Sequence, residues 1–285
     1  MATKAHVLSL YIFLTLFSFL VVEAFSSKFV SDFLGSKKGD KVKGLDQIKQ
    51  YLVKYGYLMH NPSTTFEGFE VLDDAVEEAI KKYQLFYHLN VTGVLDEHTL
   101  SLMSKPRCGV PDLINGTTIK HGMKLVFDPT KRSYYVTGWS KWNKLILTWA
   151  TKPGTRNDAR QPIYLALKEW ESVTRFHFIQ SNDYEKSDVK IEFVQHIDGR
   201  GRVLAFAGFP PNGGVHFDAD EDWVIGAVPG RDDIETTALH ELGHTLGLQH
   251  STVQAAIMWP YISSGATKHL NNDDVAGIKA LYNFP

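Results

Sequence analysis

Cysteine is almost missing from this chain: its 285 residues carry one, Cys108. That excludes an intrachain disulfide, and taken alone it would suit a reducing compartment. A surplus of either charge is missing too. Thirty Lys and Arg stand against 32 Asp and Glu, a formal net charge of −2. A nucleic-acid binder would show a basic patch or stripe. Disorder would need low hydrophobicity with high net charge, and 44% of these residues are hydrophobic. No internal repeat is visible. A C-terminal apolar tail of the kind a lipid-anchor signal needs is absent as well.

The one long apolar run lies at the start, from Val7 to Val22. Lys4 and His6 precede it, and Val22-Glu23-Ala24 ends it. That is a charged lead, an apolar segment and a small-residue cleavage site, so residues 1–24 read as a signal peptide. The alternative is a membrane anchor, for which the run is short. Asn90-Val91-Thr92 and Asn115-Gly116-Thr117 fit the N-glycosylation sequon. The expectation is a secreted, extracellular glycoprotein with no stable membrane anchor. An extracellular protein with a lone thiol then needs a reason for that thiol.

The chain divides by pattern. Ser26 to Lys43 is polar and lysine-rich and reads as a flexible lead-in. Leu45, Ile48, Leu52 and Tyr55 recur at helical spacing, as do Val76, Ala79, Ile80, Tyr83 and Tyr87. A third short helix is expected from Asp96 to Met103, and Asn61-Pro62-Ser63 marks a loop. This three-helix unit, about residues 43–104, is near the lower limit for independent stability and should lean on its neighbour. Lys105 to Gly138 reads as a connector, with Lys131-Arg132 a candidate cleavage point. Beyond it, strands (Leu145–Trp149, Val189–Phe193, Val203–Phe206, Val215–Phe217) mix with helices (around Ile163–Trp170, Asp232–Leu246 and Asn272–Tyr282). That mixture predicts an α+β domain.

The chemistry concentrates in His240-Glu241-Leu242-Gly243-His244-Thr245-Leu246-Gly247-Leu248-Gln249-His250. Asp232 and Glu235 have capping-box spacing, and Ile234, Ala238, Leu242 and Leu246 form a buried stripe. His240 and His244 lie one turn apart, so both imidazoles can reach one ion. Gly247 tolerates φ > 0 and lets the chain turn sharply, bringing His250 round as a third ligand. Three imidazoles with one open position suit a catalytic zinc. Glu241 is placed to act as general base on a zinc-bound water.

With those residues in hand, the chain is identified as resembling the metzincin metalloproteases, and within them the matrix metalloproteinases. Ala256-Ile257-Met258-Trp259-Pro260 resembles their methionine turn, with Met258 beneath the zinc. Ser251 after the third histidine and Pro106-Arg107-Cys108-Gly109-Val110-Pro111-Asp112 resemble the matrixins. The similarity runs on through Trp142–Val173, His216-Phe217-Asp218 with Glu221, and Asp273–Ile278. The Pro-Asp and Asn-Gly-Thr after the cysteine resemble plant members without a C-terminal propeller. The resemblance implies a twisted mixed sheet with three helices, preceded by a small three-helix prodomain similar to peptidoglycan-binding modules. It implies that Cys108 is the zinc ligand of a cysteine switch, that Arg107 holds the switch peptide by a salt bridge, and that residues 25–138 are a propeptide and 139–285 the catalytic domain. It further implies an extended substrate along Val203–Ala207, an apolar-accepting pocket beside His240 and Pro260–Ile262, an activating protease, extracellular or cell-wall protein substrates and a monomer.

The chain also departs from the family. Family members carry a second, structural zinc. Here His196, Asp198 and His216 stand at three of its positions, but Phe206 stands at the fourth, so whether the site survives is open. Asp218 and Glu221 match family calcium ligands whose loop partners are gone, so a calcium site and a solvated acidic turn both stand. Two other readings compete with an active zinc endopeptidase: a metzincin-fold scaffold that lost catalysis, and a glycan-binding role for the N-terminal unit.

Overall fold

A computed structural model describes residues 28–59, 69–113, 124–128, 133–137 and 140–285. The expected signal peptide, the Asn61–Ser63 loop, the Asn115 sequon and the Lys131-Arg132 pair lie outside the described residues.

The N-terminal unit is built as its periodicity dictates. Helix α1 (Leu45–Lys54) buries Leu45, Ile48 and Leu52. Helix α2 (Asp74–Phe86) buries Val76, Ala79, Ile80 and Tyr83, and Asp73 caps it by accepting from Val76 N. Helix α3 (Glu97–Met103) is capped in the same way by Asp96. Two short strands, β1 (Lys41–Lys43) and β2 (Phe69–Val71), pair antiparallel beside them. Two expectations need correction here. The lead-in is not wholly irregular: residues 28–33 are helical, and Phe33 is buried in the unit's core. The connector is not bare either, because β3 (Lys124–Asp128) and β4 (Ser133–Thr137) form an antiparallel hairpin. Pairing across the hairpin supplies backbone partners that a propensity reading of one segment does not reveal.

The C-terminal domain is a five-stranded sheet in the order β6-β5-β7-β9-β8. Its strands are β5 (Ile146–Thr151), β6 (His177–Gln180), β7 (Val189–Val194), β8 (Ala205–Ala207) and β9 (Gly214–Asp218). All neighbours are parallel except β8, which runs antiparallel to β9 and leaves an edge beside the site. Helices α4 (Arg160–Val173) and α5 (Ile234–Thr245) pack together and against this sheet. Their joint core includes Trp170, Ile163, Leu239, Leu242, Phe217 and Met258. Helix α5 is buried on every face, which makes it the interior rod of the domain and not an amphipathic surface helix. It starts one residue later than the capping-box spacing suggests: Asp233 is the N-cap, accepting from Thr236 N at 2.8 Å, while Asp232 accepts from the Ser264 hydroxyl. Trp170 Nε1 donates to Leu239 O at 2.9 Å and Trp142 Nε1 to Thr245 O at 2.8 Å, pinning the rod to its surroundings.

The two units share a core. Trp259 and Tyr261, just after the methionine turn, pack into the N-terminal unit's cluster with Tyr55, Tyr57, Tyr83 and Tyr87. The Tyr261 hydroxyl bonds those of Tyr83 at 2.7 Å and Tyr51 at 2.8 Å. The small unit thus completes its core with aromatics from the larger one. Among the described residues, no helix is long and apolar enough to cross a membrane.

Candidate metal centre

Four ligand atoms converge in the interior: one each from Cys108, His240, His244 and His250, all within 4.8 Å of one another and all four residues buried. This is the one such group among the described residues. His240 and His244 come from successive turns of α5, their ring centroids 4.9 Å apart. The chain then reverses at Gly247, whose φ of +99° a side chain would resist and whose Cβ would collide with Ser140 O. That turn brings His250 to 4.8 Å from His244 and 5.3 Å from His240, centroid to centroid.

Each imidazole is held from behind. His240 Nδ1 donates to Ile257 O at 2.6 Å and His244 Nδ1 to Leu248 O at 2.8 Å. A carbonyl can only accept, so both Nδ1 atoms carry the proton and both Nε2 atoms present lone pairs inward. His250 Nδ1 lies 2.7 Å from Asp112 Oδ1, which fixes it the same way. Burial pulls all three imidazoles below their ordinary pKa, so they are neutral and able to ligate. His240 Nε2 has no hydrogen-bond partner, and His244 Nε2 faces His250 Nε2 at 3.2 Å. Lone pairs aimed at each other inside a dry core are satisfied by a cation. The donor set, three neutral imidazoles and a sulfur, is one that zinc favours.

Glu241 is fully buried beside the cluster, and neither carboxylate oxygen has a hydrogen-bond partner among the described residues. Burial pushes its pKa up to about 8, the direction that makes a carboxylate an effective proton acceptor near neutrality. Met258 lies directly under α5: a Cβ at Gly243 would overlap Met258 Sδ and meet Trp170 Cζ2 at 3.1 Å. The turn that carries Met258 is anchored by helix α6 (Asn272–Tyr282). Its Asp274 accepts from Ile257 N and Met258 N, and its Asp273 accepts from the Ser251 hydroxyl.

Cys108 reaches the cluster along a short extended segment wedged between two walls. Arg107 N donates to Arg202 O, Leu204 N to Arg107 O, and Gly109 N to Ala205 O along β8, while Cys108 N donates to Pro260 O on the other side. Cys108 Sγ lies 3.5 Å from His244 Nε2, and burial pushes its thiol pKa well up. Arg107 is buried and forks onto Asp112, with Nη1 to Oδ2 at 3.0 Å. The guanidinium also sits 3.6 Å over the Tyr55 ring. The resemblance named Arg107 as a salt-bridge former but did not supply its partner, or that partner's bond to His250. An Asp five residues after an Arg in a loop has no periodic signature. The signal available was the Pro-Asp at the end of the motif.

The other expected metal residues do not converge. The His196 side chain is exposed, with Nδ1 3.2 Å from Asp220. Asp198 pairs with Lys54 at 2.9 Å. His216 pairs with Glu192 at 2.9 Å, and its ring stacks on Phe206 at 4.7 Å. Asp218 is buried with Oδ2 lacking a hydrogen-bond partner, and its Oδ1 accepts from Asp220 N. Glu221 accepts from Gly201 N at 2.6 Å, and burial lifts its pKa to about 8.

The matrixin family model matches residues 141–283, and the peptidoglycan binding domain model matches residues 42–103. The chain is 37% identical over 281 residues to Metalloendoproteinase 2-MMP of Arabidopsis thaliana, covering 88% of this chain and 74% of that protein. It is 36% identical to Metalloendoproteinase 1 of Glycine max, covering 86% and 83%. Matrix metalloproteinase-16 of Rattus norvegicus is 35% identical, covering 84% of this chain and 41% of its own length.

Proposed function

The chain belongs to the matrixin family of zinc-dependent metalloendopeptidases, and from that premise we propose that it is a secreted zymogen whose Cys108 silences a zinc held by His240, His244 and His250. The reading rests on one observation above the rest: Cys108 Sγ shares a 4.8 Å cluster with three imidazole nitrogens whose other nitrogens are already committed.

Bound at that cluster, zinc supplies a Lewis acid that polarises the scissile carbonyl and lowers the pKa of water. The protein does the rest. Glu241 takes a proton from the attacking water and returns it to the leaving amine. The edge of β8 pairs with an extended substrate backbone, along the track that Arg107–Gly109 occupies in the latent chain. Substrates are extracellular or cell-wall proteins with an apolar residue against Pro260–Ile262. Residues 1–24 direct secretion, 25–138 form the propeptide and 139–285 the catalytic domain, and another protease removes the propeptide. Asn90 is exposed, which suits glycosylation.

The test compares the purified full-length chain with the chain cut before residue 139, using a quenched fluorogenic peptide. An inert long form and a chelator-sensitive short form are expected. Equal activity in the two would overturn the latency. Zinc binding with no cleavage of a broad peptide library would favour the scaffold reading.

A further inference from the structure

The three clustered imidazoles are not anchored alike. His240 and His244 rest on the carbonyls of Ile257 and Leu248, within the catalytic domain itself. His250 rests on Asp112, 138 positions earlier and four residues beyond Cys108. The anchor of one imidazole therefore belongs to the segment that activation removes.

Asp112 does not need His250 for its own sake. Its Oδ2 accepts from the hydroxyls of Tyr57 and Tyr87, each at 2.7 Å, and from Arg107 Nη1 at 3.0 Å. Its Oδ1 accepts from Arg107 Nη2. It is buried and faces the equally buried Arg107 guanidinium. It is a committed anion in a dry site, already supplied with four donors. A carboxylate behind a ligating histidine fixes the ring's tautomer and orientation and makes the inner nitrogen a stronger ligand, and losing such a partner typically costs 10- to 100-fold in metal affinity. Backbone carbonyls behind the other two rings carry no charge to lose.

We propose that Asp112 is a positioning residue for the metal centre of the latent chain: the propeptide grips the metal at two points, directly through Cys108 and indirectly through Asp112 and His250. This rests on the assignment of the three histidines as zinc ligands. Removing the propeptide then does two things at once. It opens the fourth position and it strips His250 of its anionic partner, so the latent chain is the tighter metal binder by more than one lost thiolate accounts for.

The experiment uses the full-length chain and two variants, Asp112→Asn and Tyr57→Phe. Zinc affinity is measured by competition with a chromophoric chelator. Cobalt(II) loading reports on Cys108 through the thiolate-to-cobalt charge-transfer band. Asp112→Asn is expected to keep the band and lose about 10- to 100-fold in zinc affinity, while Tyr57→Phe, which removes one donor from Asp112 Oδ2 and leaves both the Arg107 fork and the carboxylate on His250, keeps the band and stays within about threefold of the parent. Unchanged affinity in Asp112→Asn would overturn the proposal. So would equal losses in both variants, or loss of the band in Asp112→Asn, since the carboxylate would then act only by docking the peptide. A parent chain that shows no thiolate band would instead indict the ligand assignment, an outcome distinct from either.

Discussion

Two regions of the C-terminal domain carry histidines and carboxylates, and they end in opposite states. Around α5, His240, His244 and His250 are buried, neutral and aimed at one point, each held from behind. Around β8 and β9, His196, Asp198 and His216 each take a different partner: Asp220, Lys54 and Glu192. The residue types are alike, so the difference lies in the scaffold. A helix spaces His240 and His244 one turn apart and a buried oxygen acceptor directs each of the three rings, whereas the loop at His196 and strand β9 at His216 leave those rings to nearby carboxylates. Where a fourth ligand would be needed beside His216, Phe206 stacks on the ring instead.

The sharpest way to break this contrast is at Glu241. Glu241→Gln is expected to keep zinc and lower kcat/KM by about 10²- to 10⁴-fold; retention of activity in the activated enzyme would remove the general base. Next, Cys108→Ser in the full-length chain should give cleavage without any trigger, at least ~10-fold above the parent, as it replaces a strong zinc ligand by a weak one. A fully inert variant would end the switch reading. A third prediction concerns packing under the site. Gly243→Ala should cost about 1–3 kcal/mol by overpacking against Met258, read as a lower denaturation midpoint, with a matched Ala238→Gly variant to calibrate the propensity effect. Zinc stoichiometry sharpens the contrast directly: one zinc per chain is expected, and two would mean that the second region assembles around an ion after all.

The smallest effect comes from the carboxylate at Glu221. Its folded-state pKa of about 8 lies above the ordinary value of 4.5. The folded state therefore favours the protonated form. The sign is destabilising as pH rises: no penalty below the unfolded pKa, and a growing one between about 4.5 and 8. Glu221→Gln should accordingly raise the melting temperature at pH 8 more than at pH 4.5, without added calcium. If calcium instead raises the parent's melting temperature and Glu221→Gln lowers it, the acidic turn is a cation site and not a buried acid.

The sequence made helices α1 to α6 legible because each carries an apolar stripe or a capping residue, and helical contacts are local. It missed the helical turn at 28–33, which is too short to show a helical period, and the β3–β4 hairpin, whose pairing is cross-strand. Helix α5 read as amphipathic with its cap at Asp232. The structure buries it on all faces and caps it at Asp233, because the sheet, α4 and the segment around Cys108 pack against it. In the candidate site, spacing alone suggested that His240 and His244 face one ion, and Gly247 suggested the return of His250. The meeting of Cys108 with the three histidines was implied by the family resemblance and not by spacing, whereas Asp112 as the partner of Arg107 and His250 and the Tyr51–Tyr83–Tyr261 hydroxyl contacts were not legible.

What the sequence determined by itself was therefore the chemistry carried by one helix and its following turn, where 3.6 residues per turn convert spacing into geometry. Only the tertiary structure decided which distant groups meet that helix. It brought Asp112 behind His250 and stacked the Phe206 ring on His216. Those contacts join residues far apart in the chain or on separate strands, and their formation depends on how the two units pack and not on any local period.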